Sequence, residues 1–226
     1  MDKVLDEIKN ITQRYNKISK VLLFGSRARG DHNEKSDYDI AVVAPSIDSA
    51  NKLRLIEEIN NVNTLHKIDL VFINSLNENT AICKNIRKDG KTLMDKFITK
   101  ATNFKNALTS LHKSLTTYDK NPDLVVRDGV IQRFEFTTEL AWKTMREYLI
   151  TQDVMDINTP RAVLKEAFNN NIITDDEGWL QIMHDRNLTS HMYDEDDINK
   201  IFDKIAEKHI FLFDALQCKF EELLKN

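Results

Sequence analysis

A chain of 226 residues with 41% hydrophobic and 30% charged side chains has room for one large domain or two small ones and is apolar enough to bury a core. Five glycines and three prolines argue against long low-complexity stretches. The net charge of −4 divides into +2 over residues 1–96 and −6 over the rest, so neither half has the basic surplus that extensive nonspecific nucleic-acid binding needs.

In chain order, Val4, Ile8 and Ile11 recur at helical spacing and predict a helix over residues 2–17. Val21 to Phe24 and Asp39 to Val43 read as short buried strands, the second stopped by Pro45. Leu53, Ile56, Ile59 and Val62 mark a second helix, and Ile68 to Ile73 is a β-branched third strand. A helix from about Glu78 to Lys88 follows, with Gly90 as its C-terminal cap. Beyond Phe97 the signals are helical: Phe104 to Leu115, Val130 to Leu149, a start at Thr159-Pro160, a capping box at Thr174 to Glu177 leading a helix to about Ser190, and a final helix from Asp196 to Leu224. The expected fold class is an α/β (α+β) N-terminal unit on a small mixed sheet, residues 1–96, followed by an all-α bundle, residues 97–226.

Cys83 and Cys218 are far apart and lack CxxC or zinc spacing, so both read as reduced thiols. The charged stretch Met1 to Lys9 has no apolar signal core, and no apolar run is long enough for a bilayer; the expectation is a cytoplasmic protein that does not engage membranes.

The densest chemical signal runs from Gly25 to Asp39. A strand feeds into Gly25-Ser26, where the missing Cβ lets backbone approach a phosphate and the serine offers a hydroxyl and an N–H. Asp37 and Asp39 sit at i and i+2 at the head of the next strand, on one face, and Asp69 stands near the start of the third. Three convergent carboxylates beside a triphosphate are hard oxygen donors suited to Mg²⁺, which points to in-line displacement at the α-phosphorus. The GxxxxGK[ST] alternative is absent, because Asp31 follows Gly30. Taken singly, each motif has a bland reading, since Gly-Ser turns and solvated Asp-x-Asp turns are common. Their order along the chain is the specific feature.

On these residues the first 96 positions resemble a minimal nucleotidyltransferase of the DNA-polymerase-β-like superfamily. That resemblance implies that Gly25, Ser26 and Arg27 hold the triphosphate of ATP, that Asp37 and Asp39 bind Mg²⁺, and that Asp69 completes the carboxylate set. Arg29 reads equally as a phosphate partner or a solvated surface residue.

In the helical half, Arg186-Asn187 and His191-x-Tyr193 resemble the R-x4-H-x-Y form of the HEPN motif. The run from Arg127 to Leu149, with Gln132-Arg133-Phe134-Glu135 and Leu140-Ala141-Trp142, resembles the HEPN subgroup of nucleotidyltransferase substrate-binding proteins. The resemblance implies a homodimer through the helical domain. It also implies a metal-independent ribonuclease site made of Arg186, Asn187 and His191, with RNA as substrate, and Tyr193 as an AMP acceptor in toxin–antitoxin systems. On an ideal helix Arg186 and His191 point about 140° apart, so they converge only if the helix ends near Ser190 or a second protomer contributes. The acidic run Asp194 to Asp197 reads as a cap for the last helix and would repel RNA. His184 reads as helix surface, and Trp142, Phe134 and Phe136 as core.

Three readings therefore stand side by side. The leading one is ATP-dependent AMP transfer to a hydroxyl such as Tyr193. The second is a small-molecule enzyme resembling kanamycin nucleotidyltransferase, with the acidic helical half receiving a cationic acceptor. The third is a noncatalytic regulatory module.

Overall fold

The computed structural model describes residues 2–77, 79–152, 154, 157–189 and 194–225. The chain divides into two compact units, Met1–Lys96 and Phe97–Asn226.

The first unit alternates helix and strand. Helix α1 (Lys3–Gln13) starts at Asp2, whose carboxylate accepts from the Val4 N–H. Strand β1 (Lys20–Phe24) runs into the single-turn helix α2 (Gly25–Arg29), then come β2 (Tyr38–Val43), α3 (Ser49–Asn60), β3 (Ile68–Phe72), α4 (Ala81–Asp89) and β4 (Lys91–Asp95). The sheet is mixed, in the order β3-β2-β1-β4, with β2 and β3 parallel and the other pairs antiparallel. The β2–α3–β3 crossover is what allows the parallel pair.

Side-chain alternation divides the sheet into two faces. Val21, Leu23, Ile40 and Val42 pack with Ile8, Ile11, Leu55 and Ile59, the buried stripes of α1 and α3. Leu22, Phe24, Ala41, Val43 and Val71 pack with Ile86 of α4 on the other. Asp39 and Asp69 share this second face by alternation with Ala41 and Val71, at the end of the sheet where β1 turns into α2.

Two elements escaped the sequence reading. The α2 turn is too short for any periodicity, and β4, Lys91-Thr92-Leu93-Met94-Asp95, has little β-branched character. Gly90 does follow α4, but with φ −66° rather than a left-handed cap conformation. Its smallness serves close packing instead, since a Cβ there would fall 2.4 Å from the Ile86 carbonyl oxygen.

The second unit contains α5 (Lys96–Lys120), α6 (Leu124–Thr151), α7 (Pro160–Asn169), α8 (Asp176–Thr189), α9 (Glu195–Lys204), a π-helical turn (Ile205–His209) and α10 (Ile210–Leu223). Its core joins Phe104, Leu111, Phe134, Met145, Trp179, Phe213 and Phe220. Thr159 caps α7 as read, with Pro160 in the first turn. At α8 the cap is Asp175, not Thr174: its carboxylate accepts from the Gly178 N–H at 2.9 Å. Asp194 caps α9, and the next residue, Glu195, binds the buried Arg127 guanidinium, which also meets Asp128 and Asn199. Phe134 is core and Trp142 is partly buried, but Phe136, expected inside, is 40% exposed.

The π-helical turn splits the expected final helix and brings Ile205 and His209 both into the interior. His209 stacks on Phe134 and its Nε2 lies 2.8 Å from Asp185, a wholly buried carboxylate that also accepts from Lys204 and Gln181. Among the described residues the His209 Nδ1 is buried without a partner, so the neutral tautomer with its proton on Nε2, directed at Asp185, suits the ring. Burial holds His209 below its ordinary range. Burial opposes the charge of Asp185, but Lys204, His209 and Gln181 outweigh it and hold that carboxyl low.

Both shifts act in one direction. The unfolded chain takes up protons that the folded chain refuses, so stability is lost as pH falls, first through the ordinary histidine range and then through the carboxylate range. Each proton so linked contributes a slope of up to about 1.4 kcal/mol per pH unit. Thermal melts at pH 7.5 and 5.5 should show a loss in the wild type that His209→Gln, which keeps a donor to Asp185 but does not titrate, reduces. An equal loss in both proteins would remove His209 as the cause.

Candidate active site

Strand β1 ends at Phe24 and the chain turns at Gly25, whose φ is +68°, into α2. Glycine is required here twice over. The left-handed conformation disfavours any Cβ, and a Cβ built at this position would fall 2.1 Å from Asp39 Oδ2. The Asp39 carboxylate therefore lies against the Gly25 Cα, which joins the Gly-Ser corner to the Asp-x-Asp strand in space. Ser26 is half-buried in the first turn of α2, where a helix start turns its backbone N–H groups outward, and its carbonyl accepts from the Gly30 and Asp31 N–H groups.

In the β2–β3 ladder Tyr38 pairs with Ile68 and Asp39 with Asp69. The two carboxylates are thus opposite one another on one face. The Tyr38 N–H donates to the Lys67 carbonyl at 2.9 Å, which is the ladder bond of the Tyr38–Ile68 pair, and Asp37 and Lys67 are the residues that immediately precede the two paired strands. Asp37, two residues before Asp39, and Lys67, two before Asp69, join them in one charged cluster, since the charges of Asp37 and Lys67 both act on Asp39 and those of all three carboxylates act on Lys67. Lys67 was not singled out from sequence. The signal available was its i, i+2 relation to Asp69, which mirrors that of Asp37 to Asp39.

The electrostatics agree with this geometry. Burial, then the charges of Asp69 and Asp37, raise the Asp39 carboxyl above the ordinary range, against the pull of Arg29 and Lys67. The Lys67 ammonium lies 2.5 Å from Asp69 Oδ1, and that hydrogen bond, with the charges of Asp69, Asp37 and Asp39, raises its pKa.

Arg27 takes a defined place. Its guanidinium donates to the Ser36 carbonyl at 2.7 Å and to the Asp37 carbonyl at 3.2 Å, and it stacks over the Tyr38 ring at 3.8 Å. These contacts hold the backbone from which Asp37 projects. Arg29 pairs with Asp31 and Asp89.

Among the described residues no group of three or more His, Cys, Asp or Glu side chains is gathered closely enough to hold a metal ion by itself. The donors nevertheless fit a hard divalent cation. Asp39 and Asp69 are opposed in register, Asp37 is on the same face, and Asp39 carries excess negative potential from both. Phosphate oxygens of a nucleotide would supply the remaining ligands, which suits a cation that keeps few protein ligands.

In the helical unit Arg186 and Asn187 lie in the last turn of α8. The Arg186 guanidinium stands 3.9 Å from Glu139 and donates to Asn187 Oδ1, while its Nε is buried without a partner among the described residues. Burial opposes the charge of Glu139, but Lys143, Trp142 and Arg186 prevail and lower its pKa. Thr189 donates to Glu135. His191 and Tyr193 lie outside the described residues. A pocket of about 680 Å³ opens between α6, the end of α8 and α9, with Gln132, Arg133, Glu135 and Thr189 in its wall beside Ile198 and Ile201. Cys83 is buried and Cys218 exposed, both free, and no helix among the described residues is long and apolar enough to cross a membrane.

Two family models match successive stretches of the chain. Residues 6–97 match the family described as polymerase beta, nucleotidyltransferase, and residues 99–222 match nucleotidyltransferase substrate binding protein like. A Haemophilus influenzae protein named "Probable ribonuclease HepT" is 32% identical over 98 residues, 40% of this chain and 66% of that protein, so the match takes in just under two thirds of the relative's length. A solved Haemophilus influenzae structure, described as the fold of a substrate binding domain of a nucleotidyltransferase, is 27% identical with a TM-score of 0.46, over 54% of this chain and 98% of that one. A toxin–antitoxin crystal structure with AMP-PNP is 26% identical with a TM-score of 0.35, over 40% of this chain and 73% of that one. With more than half its length matched, the chain belongs to the nucleotidyltransferase substrate binding protein like family, and it carries a polymerase-β-type nucleotidyltransferase domain ahead of that helical unit.

Proposed function

We propose that the protein transfers AMP from ATP to a hydroxyl acceptor, and that the acceptor is Tyr193 of the same chain or of a partner subunit. The single observation that carries the transfer is the Asp39–Asp69 pair in register, with the Asp39 carboxylate against the Gly25 Cα. In this reading Gly25 and Ser26 cradle the triphosphate, and Asp37, Asp39 and Asp69 hold Mg²⁺. The ion would supply charge neutralisation at the phosphates and a lowered barrier to deprotonating the acceptor. Arg27 fixes Asp37 through its grip on the Ser36 and Asp37 carbonyls. The acceptor oxygen forms its bond to the α-phosphorus as the bond to the bridging oxygen breaks; pyrophosphate leaves, and Asp69 receives the hydroxyl proton. Tyr193 is proposed from its place in the Arg186–Tyr193 motif and from the helical family match at residues 99–222.

AMP on Tyr193 would add an anion seven residues along the chain from Arg186 and two from His191. That supports a silencing role over a ribonuclease-like site, the activity for which the Haemophilus influenzae relative is named. Glu139 beside Arg186 and the acidic run from Asp194 weigh against strong RNA binding by one chain alone. We place the protein in the cytoplasm, acting as a homodimer through its helical domain.

The test is intact mass after incubation with Mg²⁺ and ATP. The wild type should gain one AMP, Asp37→Ala should lose labelling by about a thousandfold or more, and Tyr193→Phe should lose the adduct. An unlabelled wild type would sink self-modification, and undiminished labelling of Tyr193→Phe would exclude that acceptor. A second reading, transfer to a small cationic acceptor, draws on the pocket of about 680 Å³ with Asp128 and Glu135 in its lining. A panel of aminoglycoside and other hydroxyl acceptors separates the two.

A further inference from the structure

The carboxylate patch has a cation of its own. Asp37, Asp39 and Asp69 share one face, and like charges this close need a counter-ion. Among the described residues, the cationic side chains that pull on Asp39 are Arg29 and Lys67. Arg29 is already paired with Asp31 and Asp89. Lys67 is not turned away from the patch: its ammonium lies 2.5 Å from Asp69 Oδ1, and its backbone carbonyl is fixed by the Tyr38 N–H. Its contact with Asp69, and the pull of Asp37 and Asp39 on its charge, make it part of the patch rather than a passing surface residue. The Lys67 side chain is 68% exposed and that of Asp69 41%, so the pair is open to exchange with ions from solution.

We infer that Lys67 is the resident cation of this face, holding Asp69 in the absence of metal, and that a divalent ion must displace its ammonium before Asp69 can ligate. This rests on the metal-binding reading of the patch given above. Lys67 thereby sets the metal concentration at which the site assembles, because each binding event exchanges one cation for another and the ammonium must first give up its carboxylate. It is a positioning residue, acting through Asp69. With the ammonium removed, the three carboxylates face the incoming ion uncompensated.

The probe is Mn²⁺ alone, followed by calorimetry and by the free-ion electron paramagnetic resonance signal, on the full chain. Lys67→Met keeps the stem and removes the charge. It should bind Mn²⁺ about three- to tenfold more tightly than the wild type at low salt, as befits an exposed pair, and the gap should narrow at about 0.5 M NaCl. Lys67→Arg should restore the wild-type affinity, which loss of packing alone would not explain. The rise in melting temperature at fixed Mn²⁺ should likewise be larger for Lys67→Met. Equal or weaker binding by Lys67→Met, in a protein whose wild type binds Mn²⁺ and whose Asp39→Ala variant does not, overturns the role of Lys67 and leaves the metal site standing. No binding by either wild type or Lys67→Met overturns both.

Discussion

Asp39→Asn is expected to lower nucleotide transfer by about a thousandfold while leaving the melting temperature unchanged or raised. On the proposed function the two effects separate, because the charge of Asp39 would serve chemistry rather than folding. Its carboxylate is half-buried, faces Asp69 across the ladder and feels Asp37 two residues before it, and these causes together raise its pKa. An ionised group whose pKa is raised in the fold opposes folding at neutral pH, since the unfolded chain carries the same charge in water at lower cost. An amide of the same shape fits against Gly25 without that repulsion. It cannot, however, ligate Mg²⁺ as a carboxylate does. Stored strain of this kind is common where function needs it. Thermal melts and labelling by ATP on the same preparations decide the matter: a fall of several degrees would make Asp39 structural, and retained labelling would remove it from the site.

Gly25→Ala should be the single-methyl change in the first unit most damaging to nucleotide transfer. The residue has φ +68°, where a Cβ costs about 1–2 kcal/mol. The added atom would also overlap Asp39 Oδ2, at 2.1 Å, so the carboxylate must swing away. A displacement of about 1 Å at a reacting centre costs on the order of a hundredfold in rate. Gly30→Ala is the control. Gly30 has φ +91°, but a Cβ there meets nothing within 4 Å. It should lose about 1 kcal/mol of stability and little activity. If both variants kept full activity, the contact between Gly25 and Asp39 would have no catalytic meaning.

The fold class and the long helices were readable because each carries many turns or alternations of apolar residues. The α2 turn was not, since a single helical turn gives no period, and β4 was not, since Lys91 to Asp95 have little β-branched character and form a strand only by pairing with β1. The cap of α8 shifted by one residue for a local reason: both Thr174 and Asp175 can cap, and only the carboxylate reaches the Gly178 N–H. Phe136 was assigned to the core from residue type alone, while the geometry of α6 turns it toward solvent. The buried Asp185–His209 pair was invisible for another reason. Its partners are 24 residues apart, and a π-helical turn that no composition marks sets the histidine inward.

By itself the sequence determined the kinds of group available and their order: glycine and serine after a strand, paired carboxylates at the head of the next, and Asp69 on a third. That much is local, because strand alternation alone puts Asp37 and Asp39 on one face. Only the tertiary structure decided that Asp69 stands opposite Asp39, that the Lys67 ammonium lies on Asp69 within reach of the other carboxylates' charges, and that Arg27 grips the chain leading to Asp37. A parallel pair joins residues some 30 apart through a helical crossover, and a shift of one residue would turn Asp69 to the other face. The register is held by the apolar residues of both strands packing into their separate cores, so it is a property of the assembled sheet and of no single segment.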